Sequence, residues 1–522
     1  MPAGHPVHTN AYSMKLPGET FPGSARSLAN PLLWTLFILY LILAGFTIAH
    51  HEMWGDEIHS WNIAKGSAGI VDLVRNSRYE GHPPAWYLIL WSISKLSHDL
   101  VYVQLIHLVI AALSVFLVLF FSPLPLSSRI MIPFGYFFLF EYTVLSRNYA
   151  IGILLALCIC IIIRKNFNYK LLLYYLLLFL LTNTHLQSIL LAASLHVYFL
   201  VFTYEQNKRK DLIAAHVLLG ILVALPALYF IFPPADSQLD TQFWMNRWSI
   251  QRLTAFGRGP LQAFLPIPAW WNYHSWNTQF LIEARNNYSV LRYINQLMVL
   301  TLLAMVFFIL RKNQKSLLLF ATNLALTLVI AIFVITLGAA RHAGFLYIAF
   351  IAAWWLYCSE TAAGNRTRWL VNILLVIQLI GGAYAVVKDI QHPFSNAYRV
   401  KELLSRIPPG EKAVTDYWTL NSIAAFADSS FYSIDLQKEI SFVLWNKELG
   451  EALKKEHRYY EGVRHYFQKE GINRVYMLSL ASPIAFSGID PQLPKSFHVE
   501  LVEKIEGAIE KAGNLYLYRI SR

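Results

Sequence analysis

Trp54-Gly55-Asp56-Glu57-Ile58-His59-Ser60-Trp61 follows closely on the first apolar run of the chain, Pro31 to Ala49. Two adjacent carboxylates at the mouth of a membrane protein are costly unless they do work. No basic residue follows them at helical spacing to make a routine surface pair. Trp54 and Trp61 flank them as tryptophans anchored in a membrane interface would. The stretch reads either as an acid/base site at a bilayer surface or as an ordinary carboxylate pair in a loop. The rest of the chain decides between the two.

That chain has 522 residues, of which 56% are hydrophobic, 15% aromatic and only 14% charged. Its mean hydropathy is +0.42. Soluble globular chains carry about 25% charged residues, so the composition is that of a multi-pass membrane protein with room for a soluble domain. The formal charge of +12 belongs with cytoplasmic loops, where it sets topology, and not with nucleic-acid binding. The three cysteines, Cys158, Cys160 and Cys358, lie in apolar runs. Cys158-Ile159-Cys160 is poor disulfide or zinc geometry, and all three read as small core residues. Residues 1–30 form a polar tail. No small-residue cleavage site follows the run 31–49, which is expected to stay as the first span.

Crossing a bilayer takes about 20 apolar residues. Candidate spans lie at 31–49, 101–121, 130–145, 148–164, 170–184, 186–203, 212–232, 293–310, 316–337, 342–358 and 369–387, about eleven in all. Ala85 to Leu96 is too short to cross comfortably and is assigned to an interfacial or re-entrant helix. The short basic loops 164–170, 208–210, 311–315 and 366–368 are expected in the cytoplasm. Alternation then places Ser122 to Arg129 and the N-terminal tail, with Lys15 and Arg26, on that side too. The opposite face of a cell inner (plasma) membrane receives the loop 50–84 with its carboxylates. It also receives Glu141 to Tyr149, Asn183 to Ser188, Arg341-His342 and the long loop 233–292. Polar residues gathered on one face of a bundle suggest one site.

From Asp389 onward charge rises and apolar runs shorten. A helix is expected at Ala397 to Ile407 and one or two more at Asn446 to Lys469. Strands are expected at Ala413 to Tyr417, Phe431 to Ile434, Arg474 to Leu478, His498 to Val502 and Leu515 to Ile520. The expected fold is therefore a mainly α, polytopic membrane bundle over 31–388, followed by a small extracytoplasmic α/β domain over 389–522. That domain has no phosphate-binding glycine motif and no metal-ligand spacing, and reads as a lid or docking unit.

Six stretches can carry chemistry. A hydroxyl that attacks a sugar carbon must lose a proton, and Asp56 or Glu57 at a water-poor surface suits that task. In Arg78-Tyr79-Glu80-Gly81-His82-Pro83-Pro84-Ala85-Trp86-Tyr87 the two prolines fix a bend and hold Glu80 and His82 at the membrane surface. Ser146-Arg147-Asn148-Tyr149 and Thr184-His185 lie at two outer turns, and Arg341-His342 at a third. Two arginines and two histidines around carboxylates suit the phosphate of a lipid head group. The loop 233–292 adds Trp244, Trp248, Trp270, Trp271 and Trp276 with Arg247, Arg252, Arg258, Asn272, His274 and Arg285, a mixture suited to the interface or to stacking on sugars.

With Asp56-Glu57, Glu80-Gly81-His82-Pro83-Pro84-Ala85-Trp86-Tyr87 and Ser146-Arg147-Asn148-Tyr149 in this order, the chain resembles the GT-C superfamily of membrane glycosyltransferases. It is most similar in this to bacterial relatives of protein O-mannosyltransferases and of lipid A aminoarabinose transferases. The resemblance implies a polyprenyl-phosphate sugar donor, transfer to a glycan, lipid or protein hydroxyl on the outer face, and inversion at the anomeric carbon. It implies Asp56 as general base with Glu57 assisting. Position in the predicted topology adds Arg147 or Arg341 as holders of the lipid phosphate, with Glu80, His82, Tyr149, His185 and His342 as further binding candidates. Most such enzymes have no catalytic metal, and no clear metal cluster stands out; Asp56, Glu57 and His82 are the residues able to take a divalent cation. The alternatives are a transporter or lipid flippase, which would want polar groups deep in its spans and internal repeats, and a non-catalytic assembly subunit.

Overall fold

The first apolar run becomes α1, Pro31–His50. Asn30 caps it, its side-chain oxygen accepting from the Leu32 N–H at 3.0 Å. Pro31 takes the first position, where its missing N–H removes no hydrogen bond. The acidic stretch is also helical: α2, Gly55–Gly66, is followed by Ile70–Ser77 and a short turn at Arg78–Glu80. The expected loop over 50–84 is thus mostly helix. Its tryptophans are core residues rather than interface anchors, Trp54 being 9% and Trp61 1% exposed.

The computed structural model describes residues 27–238, 257–287, 290–333, 339–427 and 429–522. Among the described residues eight helices are long and apolar enough to cross a membrane: α1, Val101–Phe121, Leu186–Asn207, Lys210–Ile231, Leu291–Leu310, Gln314–Phe333, Ala340–Glu360 and Asn365–Gln391. The expected spans 148–164 and 170–184 form shorter helices, Tyr149–Arg164 and Lys170–Thr182, of 16 and 13 residues. Three of these elements frame the site, α3 (Tyr149–Arg164), α4 (Leu186–Asn207) and α5 (Ala340–Glu360), and a fourth, α6 (Asn365–Gln391), carries Asp389 behind it. The short apolar run expected after the two prolines is a helix at Ala85–Ser94.

The run 130–145 does not form one continuous helix. It breaks into Leu126–Met131, Ile132–Phe134 and Phe137–Glu141. Pro133 cannot donate to the ladder, and Gly135 is extended, with φ −74° and ψ 158°. The broken segment lies against α6. A Cβ on Gly382 would stand 2.8 Å from the Phe134 carbonyl oxygen, so only glycine permits this approach. At the centre of the bundle, α5 is buried along nearly its whole length, and its first turn carries Arg341 and His342. Of the aromatic loop residues, Trp270 and Trp271 are exposed while Trp276 turns inward. Trp244, Arg247, Trp248 and Arg252 lie outside the described residues.

The C-terminal part forms the expected α/β unit. Its strands are β1 (Ala413–Thr415), β2 (Phe431–Ser433), β3 (Lys438–Ile440), β4 (Arg474–Ser479), β5 (His498–Ile505) and β6 (Leu515–Ser521). They form one sheet in the order β3-β2-β1-β4-β6-β5. β1 runs parallel to β2 and β4, and the other neighbours are antiparallel. The expected helix at 397–407 is a short turn and one helical turn and a half, Ala397–Arg399 and Val400–Leu404. β3 and a helix α7, Tyr417–Ala427, were not expected from the pattern. α7 packs directly on α2: Asn421 Oδ1 lies 2.5 Å from His59 Nδ1, and the Asn62 side chain donates to the Asn421 carbonyl at 3.4 Å. The sheet unit therefore clamps the helix that bears the two carboxylates.

Candidate active site

Consecutive residues in a helix point about 100° apart, and this separates Asp56 from Glu57. Glu57 turns into the protein. One carboxylate oxygen accepts from the Trp54 N–H at 3.1 Å, closing the first turn of α2. The same oxygen lies 3.2 Å from His51 Nε2. The other accepts from the Ser146 N–H. His51 Nδ1 in turn lies 3.1 Å from Asp389 Oδ1, on α6. The side chains of His51, Glu57 and Asp389 are all 0% exposed. Burial works against a charge on His51, but Asp389 and Glu57 outweigh it and hold its pKa at about 10. An imidazolium between two carboxylates thus ties the end of α1, the start of α2 and the end of α6 together.

Asp56 faces the other way, and its side chain keeps 38% of its surface open. Arg341 Nη2 lies 3.0 Å from Asp56 Oδ2, and Arg147 Nη1 lies 3.7 Å from the same oxygen. Arg147 also donates to the Asp56 carbonyl. Burial raises the Asp56 pKa, but Arg147 and then Arg341 more than cancel this and leave it below the usual carboxylate range. Arg341 is held by aromatic faces, with its guanidinium carbon 5.3 Å from the Trp54 ring centre and 5.9 Å from that of Trp276. Among the described residues Nε of both arginines is buried and has no hydrogen-bond partner. Each cation therefore has donor capacity left over.

Histidines line the same space. His185 starts α4, its Nε2 2.7 Å from Ser188 Oγ. Its ring packs on Tyr149 at 4.7 Å, and Tyr149 packs on His342 at 6.3 Å. His342 lies within electrostatic reach of Arg341, His82, His185 and Arg147. Gly81, at φ +65°, makes the left-handed turn that brings His82 inward ahead of the prolines. Burial first, then Arg147, push His82 down to about 3. Burial and the neighbouring His82 hold His185 well below the usual imidazole range. Both rings are neutral at physiological pH, and His82 Nδ1 and His342 Nδ1 are buried without a partner among the described residues.

The fold therefore brings Asp56, His82, Arg147, Tyr149, His185, Arg341 and His342 together. Glu80 stands aside, its Oε2 2.8 Å from His59 Nε2. Glu57 lies behind the site. Asp56, Glu57 and His82 do not converge as ligands for a divalent cation, because Glu57 turns away to His51. Among the described residues no group of three His, Cys, Asp or Glu side chains is placed to hold a metal ion.

Two members, His51 and Asp389, could not be read from the sequence in advance. His51 and Asp389 look like span-end residues until the fold joins them. Glu141 is buried, bonded to Tyr136 Oη at 2.7 Å and to Trp276 Nε1 at 3.3 Å. Trp276 also lines a narrow crevice whose walls are largely apolar, among them Tyr136, Phe140, Tyr384 and Ile509, with Lys388 beside them.

An open carboxylate between two guanidiniums, with neutral imidazoles opposite, has the parts for proton abstraction beside a bound anion. Set against known proteins, the chain matches no family model and no curated sequence.

Proposed function

We propose that the chain is a membrane glycosyltransferase that moves a sugar from a polyprenyl-phosphate donor to a hydroxyl acceptor on the outer face of the membrane. The observation that carries this is the convergence of Arg147 and Arg341 on the open face of Asp56, from two separate parts of the bundle. Two arginines with spare donors suit a phosphate far better than one carboxylate needs.

Asp56 is a poor base while both arginines rest on it. A donor phosphate draws the guanidiniums away, and the Asp56 pKa rises toward that of an ordinary carboxylate. The acceptor O–H then gives its proton to Asp56 as its oxygen bonds to the anomeric carbon. The bond from that carbon to the phosphate oxygen breaks, and its electron pair leaves with the phosphate. One displacement inverts the centre. Arg147 and Arg341 stabilise the charge that develops on the leaving group, where electrostatic help is worth most. Glu57 takes no part in proton transfer; it fixes the start of α2 so that Asp56 faces the arginines.

The test is incubation of membranes containing the chain with a panel of radiolabelled polyprenyl-phosphate hexoses and pentoses. Release of polyprenyl phosphate from one of them supports the proposal. No turnover of any, from chain that is folded and inserted, counts against it.

A further inference from the structure

The loop 506–514 between β5 and β6 leaves its own sheet and docks on the membrane bundle. Ile509 N–H donates to the Pro393 carbonyl at 2.9 Å, and Glu510 N–H to the Phe394 carbonyl at 3.0 Å. Tyr273 Oη donates to the Gly507 carbonyl at 2.5 Å. Gly507 has φ +100°, which lets the loop turn away from the strand. Ile509, 3% exposed, joins the hydrophobic core of the bundle. A loop pinned by this many backbone bonds holds the next side chain in one place.

That side chain is Glu510. Its carboxyl accepts from the Ala512 N–H and lies within electrostatic reach of both Asp56 and Arg341. Among the described residues it has no ion-pair partner. Burial is the main influence on it and, with Asp56 adding to the rise against Ala512 N–H and Arg341, brings it up to about 7. Raised to about 7 and within electrostatic reach of Asp56, Glu510 offers a phosphate no positive charge, so it does not serve the donor phosphate. Its natural complement is a hydroxyl donor. Because it arrives on the sheet domain, it meets a ligand coming from the aqueous side rather than from the bilayer.

Resting on the glycosyltransferase proposal above, we infer that Glu510 is an acceptor-binding residue, accepting a hydrogen bond from a ring hydroxyl of a glycan-type acceptor next to the hydroxyl that Asp56 activates. The sheet domain thereby takes part in choosing the acceptor.

The experiment uses the full chain in membranes, with a turned-over polyprenyl-phosphate sugar as donor and an alkyl glucoside as acceptor. Glu510→Gln keeps shape and Glu510→Asp keeps charge. Lys511→Ala, on the same loop, controls for loop damage. The expected result for Glu510→Gln is an acceptor KM raised about tenfold, the size of a lost hydrogen bond to a charged group. The rise should be in acceptor KM and not in donor KM, with partial recovery in Glu510→Asp. An unchanged acceptor KM, an equal loss in Lys511→Ala, or donor hydrolysis by the wild type with no transfer to the glucoside would each overturn this inference while leaving the donor chemistry standing. No consumption of any donor would overturn the glycosyltransferase proposal itself, and this one with it.

Discussion

Arg341 and Asp56 are 285 positions apart in the chain and meet with 3.0 Å between Nη2 and Oδ2. The first turn of the most buried of the eight long helices and the first turn of an early one are thus joined at a site that is still partly open. Such a pair is weak as a stabilising device, since an ion pair open to water contributes only about 0–1 kcal/mol. Its value is chemical. Arg341→Lys keeps the charge but loses the planar fork that grips phosphate, and transfer should fall about a hundredfold, as when one preorganised donor is removed. Steady-state kinetics on the purified variant, with its thermal midpoint shown unchanged, checks this.

Adjacent carboxylates should respond in opposite ways. Asp56→Asn should leave the melting temperature close to that of the wild type. Glu57→Gln removes a negative partner from the buried His51 and should cost about 3 kcal/mol, the low end for breaking a buried pair because Asp389 remains. Thermal unfolding of the two variants in detergent separates them.

His51 predicts a pH dependence of stability. Its pKa rises from 6.5 unfolded to about 10 in the fold, so the folded state holds a proton that the unfolded state releases. The contribution is fully present below pH 6.5 and is lost as pH rises through about 10. The melting temperature of the wild type should therefore fall over that window. In Asp389→Asn the fall should be smaller, because one of the two carboxylates holding the proton is gone. Melting curves across the window read the sign directly.

The contact between α6 and the broken segment gives a packing prediction. Gly382→Ala would place a methyl 2.8 Å from the Phe134 carbonyl oxygen. Neither backbone can move away cheaply, so the change should destabilise by about 1–3 kcal/mol. Its readout is a lowered melting temperature.

Much of this was legible in the chain itself. Long apolar runs gave the eight long helices, because burial in lipid demands little beyond length and hydropathy. The strands at 413–415, 431–433, 474–479, 498–505 and 515–521 followed from short β-rich runs between turn residues. Segment 130–145 misled because its hydropathy is high while Pro133 and Gly135 break it locally. α7 was missed because Tyr417–Ala427 is short and amphipathic in neither period, and its helix is supported by packing on α2. Asp56, Arg147 and Arg341 stood out as charges beside apolar runs. His51, Asp389 and Glu510 did not, since a buried relay or a docking loop exists only once distant segments meet.

The central claim is that Asp56 accepts the proton of an attacking hydroxyl. The most direct measurement is sugar transfer from the polyprenyl-phosphate donor by wild type and Asp56→Asn, purified side by side and matched for folding. Asparagine keeps the shape and cannot take the proton, so the rate should fall about 10²- to 10⁴-fold, the contribution of a positioned general base. Equal rates in the two proteins would contradict the account.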